Sequence, residues 1–194
     1  MINKHNKFQN KGFTLVELLV VTAVIGVLGI LSATLISSIL RSQNKTAIIN
    51  EVRQNGDLVI SKFERDLKQS EKVCPVDTST SPPNLDCGNV NPSAIVALTT
   101  YSGSQIVWDC TDLRRGEGDG VTEANTNATP VINTDPDNGV QVVAGSCNFT
   151  VSTGGASVPQ IVTLSFTLEQ RSTVQRSEYQ VKEPFQVTAG TRAY

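Results

Sequence analysis

The stretch Phe13–Leu40, FTLVELLVVTAVIGVLGILSATLISSIL, decides how the rest of the sequence is read. Nineteen of its 28 residues are apolar, and Glu17 is its only charge. As a helix rising about 1.5 Å per residue it would be about 42 Å long, more than the roughly 30 Å of hydrocarbon in a bilayer. Ahead of it lies MINKHNKFQNKG, residues 1–12, with Lys4, Lys7 and Lys11 and no acid. Positive charge beside a first span holds the N-terminus in the cytoplasm and sends the rest across. A secretory signal peptide has an apolar region of about 7–15 residues ending at a small-x-small cleavage site, and this run is far longer. An ordinary single-span anchor has no use for a glutamate one turn into the span, where a carboxylate costs a few kcal/mol even on lenient insertion scales.

Lys11-Gly12-Phe13-Thr14-Leu15-Val16-Glu17-Leu18-Leu19-Val20 resembles the N-terminal motif of type IV prepilins and type II secretion pseudopilins. That motif is a basic leader ending in Gly, then Phe, then Glu as the fifth residue of the mature chain, then an unbroken apolar run. The resemblance implies that a prepilin peptidase cuts between Gly12 and Phe13 and that the new amine of Phe13 is N-methylated. It also implies that Glu17 faces the amino group of a neighbouring subunit's Phe13 inside a growing filament. A carboxylate and an ammonium about 4 Å apart attract by roughly 4 kcal/mol at an effective dielectric near 20. Such a pair would offset the desolvation of both groups and fix subunit register. The implied partners are other pilin or pseudopilin subunits, the peptidase and an inner-membrane assembly platform. The implied location is the cytoplasmic membrane, single-pass with the N-terminus in the cytoplasm, and then an extracytoplasmic pilus or pseudopilus.

Gly26 and Gly29 interrupt the span, and Ser32, Thr34, Ser37 and Ser38 follow. Small residues let helices pack closely in a membrane; the alternative is a stretch that loosens during assembly. Family members often carry a helix-breaking proline in the mid-span, and this chain has none there.

Beyond Leu40 the pattern becomes that of a soluble helix. Ile48, Val52, Val59, Ile60, Phe63 and Leu67 recur near a spacing of 3.6 and form one apolar stripe. Glu64 and Lys68 are placed for an i,i+4 pair, Gly56 weakens the middle, and Cys74-Pro75 is expected to end the helix. Four segments follow: a leader 1–12, a transmembrane and filament-core helix 13–40, its soluble half 41–73 and a β-rich lobe 74–194. Strand-like runs cover 94–100, 105–109, 140–144, 148–152, 161–169 and 178–188, with Tyr101-Ser102-Gly103-Ser104 as a hairpin connection. Residues 76–93 and 113–139 read as loops. The expected fold class is α+β, a long helix laid on an antiparallel sheet, pilin-like. Phe63-Glu64-Arg65-Asp66-Leu67 and Leu113-Arg114-Arg115 also resemble segments of J-type pseudopilins and W-type minor pilins; by themselves Arg65 and Asp66 read as a solvated helix face.

Cys74, Cys87, Cys110 and Cys147 form an even set on the translocated side. Four cysteines allow three pairings, of which neighbour pairing, Cys74–Cys87 and Cys110–Cys147, is expected. No CxxC occurs and the single histidine, His5, is in the leader, so no metal centre or cofactor is expected. Asn133, Asp135 and Asp137, followed by Gly139, resemble half a calcium loop, but no glutamate closes it and an Asx-rich turn is the simpler reading. The chain lacks a nucleophile with an oriented base, and no catalytic residue is assigned.

The net charge of -2 is a blend. Without residues 1–12 the chain has 13 basic and 18 acidic side chains, and residues 74–170 hold ten acids against only Arg114 and Arg115. An acidic lobe disfavours nucleic acid as a partner, apart from a local contact at those two arginines. The expected function is a structural filament subunit, a minor pilin or pseudopilin that primes assembly. The alternatives are a major pilin of the shaft, or an adhesive or DNA-binding tip module.

Overall fold

The structure, a computed structural model, describes residues 14–77, 79, 83–87, 92–136, 139–152, 159–171 and 181–192. The chain divides into two compact units, Met1–Lys45 and Thr46–Tyr194. One helix, α1 (Leu15–Lys68), contributes to both and runs unbroken through Gly26, Gly29 and Gly56.

In the second unit α1 presents Val52, Gly56, Val59, Phe63, Asp66 and Leu67 as its buried face. Two antiparallel sheets receive it. The first contains β1 (Ser70–Asp77), β2 (Asn84–Leu85), β3 (Ile95–Thr100), β4 (Gln105–Asp109), β5 (Arg114–Gly118) and β6 (Thr129–Pro130), in the order β2-β1-β3-β4-β5-β6. The second contains β7 (Val140–Val142), β8 (Asn148–Val151), β9 (Ile161–Gln170) and β10 (Lys182–Gly190), with β10 on one edge of β9 and β7 and β8 on the other. A single bridge, Ser93 with Phe149, ties loop to strand between the sheets.

The main core lies between α1 and both sheets. Phe63 stands edge-on to Trp108 of β4, centroids 5.5 Å apart, and tilts against Phe149 of β8 at 5.8 Å. One helical side chain therefore touches a large ring from each sheet. A Cβ at Gly56 would strike the Phe185 ring of β10, so the glycine admits the close approach that Phe185, stacked on Phe166, requires.

A second, smaller core explains the difference between expectation and structure over 113–139. That stretch is not a bare loop: it contains β5, the short helix α2 (Val121–Thr126) and β6. α2 lays Ala124 on the outer face of the first sheet, against Val76, Ala97 and Val107. Gly116 permits this, since a Cβ there would collide with the α2 backbone at Ala124. The sheet is thus covered on both faces, which is why β3 and β4 read as continuous apolar runs rather than alternating ones. Ahead of β5 the chain turns sharply through Asp112 and Leu113, both at positive φ (53° and 49°), and the second is fully buried. Such geometry costs roughly 1–2 kcal/mol per residue, and burial of Leu113 offsets it.

The helix also stops earlier than expected. It ends at Lys68, and residues 70–73 belong to β1 instead of the soluble helical half assigned to 41–73. Ser70 Oγ donates to the carbonyl of Leu67 at 2.8 Å, occupying a C-terminal acceptor. Val73, Cys74 and Val76 are then buried as strand residues. Part of the expected loop 76–93 is likewise strand, in β1 and β2, and residues 178–180 of the expected last strand lie outside the described residues. The hairpin at Tyr101–Ser104 joins β3 to β4, with Gly103 at φ 88°. The Glu64–Lys68 pair forms at 3.4 Å.

The solvated-face reading of Asp66 is overturned. Asp66 is 1% exposed. Trp108 Nε1 donates to its Oδ2 at 3.0 Å, Arg115 Nε to the same oxygen at 2.6 Å, and Arg115 Nη2 to Oδ1 at 3.2 Å. Trp108 and Arg115 are register partners across β4 and β5, so one helical carboxylate meets two donors side by side. The bond to Asp66 holds the Arg115 guanidinium protonated above its ordinary range, against the opposing effect of burial.

Two outcomes follow from these packings. Arg115→Met leaves Asp66 buried with the indole alone and should lower unfolding free energy by about 3–5 kcal/mol, whereas Asp66→Leu with Arg115→Met should recover most of that loss. Urea unfolding of the full chain in detergent, read by fluorescence of the single tryptophan, Trp108, measures both; additive losses would contradict a buried pair. The second concerns pH. Lys182 Nζ, 2.9 Å from Glu169 Oε2, holds that carboxyl below its ordinary value; burial opposes this and Gln141 adds to it. Because the folded value is depressed, the stabilisation is present at neutral pH and is lost as pH falls from about 4.5 through the lower folded value. Glu169→Gln should therefore destabilise by up to about 1 kcal/mol at neutral pH, with the difference vanishing in acid. Unfolding midpoints on both sides of that window provide the check.

Candidate functional site

The N-terminal part of α1 is built around its first turn. Thr14 precedes the helix, and its Oγ1 accepts the backbone N–H of Glu17 at 3.3 Å. Thr14-x-x-Glu17 has the spacing of a capping box, in which the N-cap hydroxyl satisfies one of the orphan N–H groups of the first turn. Glu17 is thereby fixed in the first turn, where the helix dipole favours a carboxylate, and its side chain is exposed. The sequence signal for this cap is the Thr14/Glu17 spacing.

Around and beyond Glu17, every Leu, Ile and Val from Leu15 to Leu40 is exposed, from 46% at Val21 to 80% at Leu15. Each such side chain gains about 1.5–3 kcal/mol when fully removed from water, so the segment as a whole has tens of kcal/mol to gain from an apolar surrounding. Three of its hydroxyls are already satisfied along the helix: Thr22 donates to the Leu19 carbonyl at 3.0 Å, Ser32 to Leu28 at 2.8 Å and Thr34 to Leu31 at 2.8 Å. Backbone and hydroxyls thus present few unmet polar groups to lipid or to another helix. Gly26 and Gly29 leave open notches, with nothing within 4 Å of where a Cβ would stand. Among the described residues α1 is the one helix long and apolar enough to cross a membrane.

The other residues singled out from sequence fall elsewhere. Gly12 and Phe13, with the rest of the leader, lie outside the described residues. The structure joins Cys74 of β1 to Cys87 beyond β2, and Cys110 at the end of β4 to Cys147 ahead of β8. The first bridge ties an irregular segment to the sheet; the second links the two sheets. Asn133 Oδ1 accepts from the Asp135 N–H at 3.1 Å, and the carbonyls of Asn133 and Asp135 accept from Val140 and Gly139 at 2.7 and 2.9 Å. These bonds make an Asx turn closed on itself; Asp137 lies outside the described residues. Among the described residues no group of three or more His, Cys, Asp or Glu is placed to hold a metal. Arg114 Nη2 donates to the Ala128 carbonyl at 2.6 Å and Arg115 is bound to Asp66, so both side chains considered for a local phosphate contact are anchored within the fold.

Residues 7–33 match the prokaryotic N-terminal methylation motif. No curated protein and no solved structure matches the chain. The methylation motif, the single apolar N-terminal helix and a helix packed on antiparallel sheet together support the type IV pilin and pseudopilin family for this chain.

Proposed function

We propose that this chain is a membrane-anchored structural subunit that enters a type IV pilus or pseudopilus through the first part of α1. The observation that supports this best is the pairing of an exposed apolar helical segment, Leu15 to Leu40, with a capped, exposed Glu17 in its first turn. In this reading a prepilin peptidase removes residues 1–12, and the amine of Phe13 is N-methylated. The segment from Phe13 to Leu40 then sits in the cytoplasmic membrane until it exchanges lipid for neighbouring helices. Glu17 meets the amino group of a neighbour's Phe13, a contact of roughly 4 kcal/mol at an effective dielectric near 20. Gly26 and Gly29 supply the close-approach surface between helices.

Within that class the chain is assigned as a minor pilin or pseudopilin that primes assembly. The support comes from the second resemblance: its two segments, Phe63–Leu67 and Leu113–Arg115, are the ones joined by the buried Asp66–Arg115 pair.

Glu17→Ala should leave membrane insertion unchanged and reduce recovery in sheared filaments by at least about tenfold, the factor that 1.4 kcal/mol commands. Thr14→Val, which removes the cap but keeps the carboxylate, should have a much smaller effect, since an N-cap is worth about 1 kcal/mol. Fractionation and immunoblotting of sheared filaments separate the two variants, and normal incorporation of Glu17→Ala would sink the proposal. Intact-mass spectrometry should find a filament form that begins at a methylated Phe13; residues 1–12 retained in that form would do the same.

A further inference from the structure

We infer that the lobe binds an acidic oligosaccharide on the face around Gln69, one sugar ring resting against Tyr101 and a neighbouring carboxylated sugar held by Arg65, Lys68 and Arg192. Two depressions meet there, of about 280 and 470 Å³. Gln69 lines both. They are also joined at the rim, where the Tyr101 hydroxyl donates to the backbone carbonyl of Arg192 at 3.1 Å.

The first depression is walled by hydroxyls. Thr100 Oγ1 lies 2.9 Å from Ser102 Oγ and 2.8 Å from Ser104 Oγ, and the two serine oxygens are 3.3 Å apart. Arg115 and Glu117, themselves paired at 3.3 Å, and the Gln69 amide complete the polar lining. Hydroxyl, amide, guanidinium and carboxylate side by side offer both donors and acceptors, which is what adjacent hydroxyls on a sugar ring require. Tyr101 is 48% exposed and offers a flat ring to the C–H face of that sugar. A small, shallow, polar site with one aromatic wall suits a sugar better than an apolar ligand, which needs a mostly apolar pocket.

The second depression carries Arg65, Lys68 and Arg192 against a single acid, Glu64, already paired with Lys68. Within the hollow the cations therefore outnumber the acids three to one. Arg65 and Lys68 stand in the last turn of α1, where its dipole favours cations, and Arg192 is brought to the same hollow from beyond β10. Three cations confined to one hollow match one or two carboxylates. A nucleic acid engages many phosphates at once, more than three cations in one hollow can serve.

The proposal is independent of filament entry, and the test keeps the two apart. The full chain in detergent micelles is titrated with trigalacturonic acid and with maltotriose, using calorimetry and saturation-transfer difference NMR. The acidic trimer should bind with a Kd below about 1 mM and at least about tenfold more tightly than the neutral one. Tyr101→Ala should weaken both sugars, while Arg192→Gln should weaken only the acidic one and reduce its salt dependence. Unchanged urea midpoints confirm that the variants fold. Absence of saturable binding, wild-type binding by both variants, or tighter binding of a single-stranded oligonucleotide would each overturn the assignment. So would variants that lose filament entry while keeping sugar binding, because the face would then be a subunit contact.

Discussion

A carboxylate held at 1% exposure survives only where its charge is met at close range, and Asp66 meets two donors on neighbouring strands. Removing one donor from such a site is far more damaging than replacing the whole group by apolar side chains, because the remaining charge stays desolvated. That asymmetry makes the contact a positional constraint. Asp66 lies on the same helical face as Phe63 and Leu67, so aligning it with Trp108 and Arg115 sets both the rotation and the axial position of the lobe half of α1 on the first sheet. The rings of Phe63 and Trp108 can meet edge to face only in that position. On the other side of the same strands, Gly116 lets α2 close over the sheet, so the strands that carry Trp108 and Arg115 are packed on both faces.

The lobe is then completed by joining its second sheet to the first without a continuous ladder. Phe63 touches Phe149, and the Ser93–Phe149 bridge exchanges two backbone bonds of 2.9 and 2.8 Å at the same place. Further along, the Gln160 side-chain amide stands in for a strand, accepting from the Val73 N–H at 2.7 Å and donating to its carbonyl at 3.0 Å. The Cys110–Cys147 bridge adds a covalent link over a separation of 37 residues, worth about 3–4 kcal/mol through loss of unfolded-state freedom. A chain with only 5% aromatic residues concentrates its large side chains at this seam and adds polar mimicry and a disulfide where apolar area is thin.

Where sequence reading succeeded and where it failed both follow from range. The apolar run, the stripe through Val52, Val59, Phe63 and Leu67, and the strands at 95–100, 105–109 and 161–170 are local periodic signals, and each appears in the fold within a residue or two. Asp66 defeated that reading because its partners are 42 and 49 residues away; beside Arg65 and Glu64 it looks like any exposed helix charge. The stretch 113–139 reads as a loop in sequence for a related reason. Its glycines and Asx residues carry ordinary loop chemistry, yet Gly116 is there to admit a helix, a cause visible only in three dimensions. Two signals were present but weak: the unbroken burial-type runs of β3 and β4, which required a cover on the outer face, and the Thr14/Glu17 spacing, which marked the first helical turn.

The same helix must satisfy two surroundings, and its composition divides accordingly. From Thr46 onward one face is apolar and the others are charged, the pattern of a helix with a sheet on one side and water on the rest. From Leu15 to Leu40 it is apolar all round, which gives no preference for one azimuth and suits either lipid or a ring of like helices. An all-round apolar helix has no means of fixing its axial position against identical neighbours, because a slide exchanges one leucine contact for another at little difference in energy. A single charge removes that degeneracy. A carboxylate in the first turn is stabilised only by the weak field of its own helix end, about 0.3–1 kcal/mol, and gains several times that from an ammonium at contact distance. In the proposed filament, one glutamate in an otherwise uncharged run would therefore set a register that the surrounding leucines hold together but cannot align.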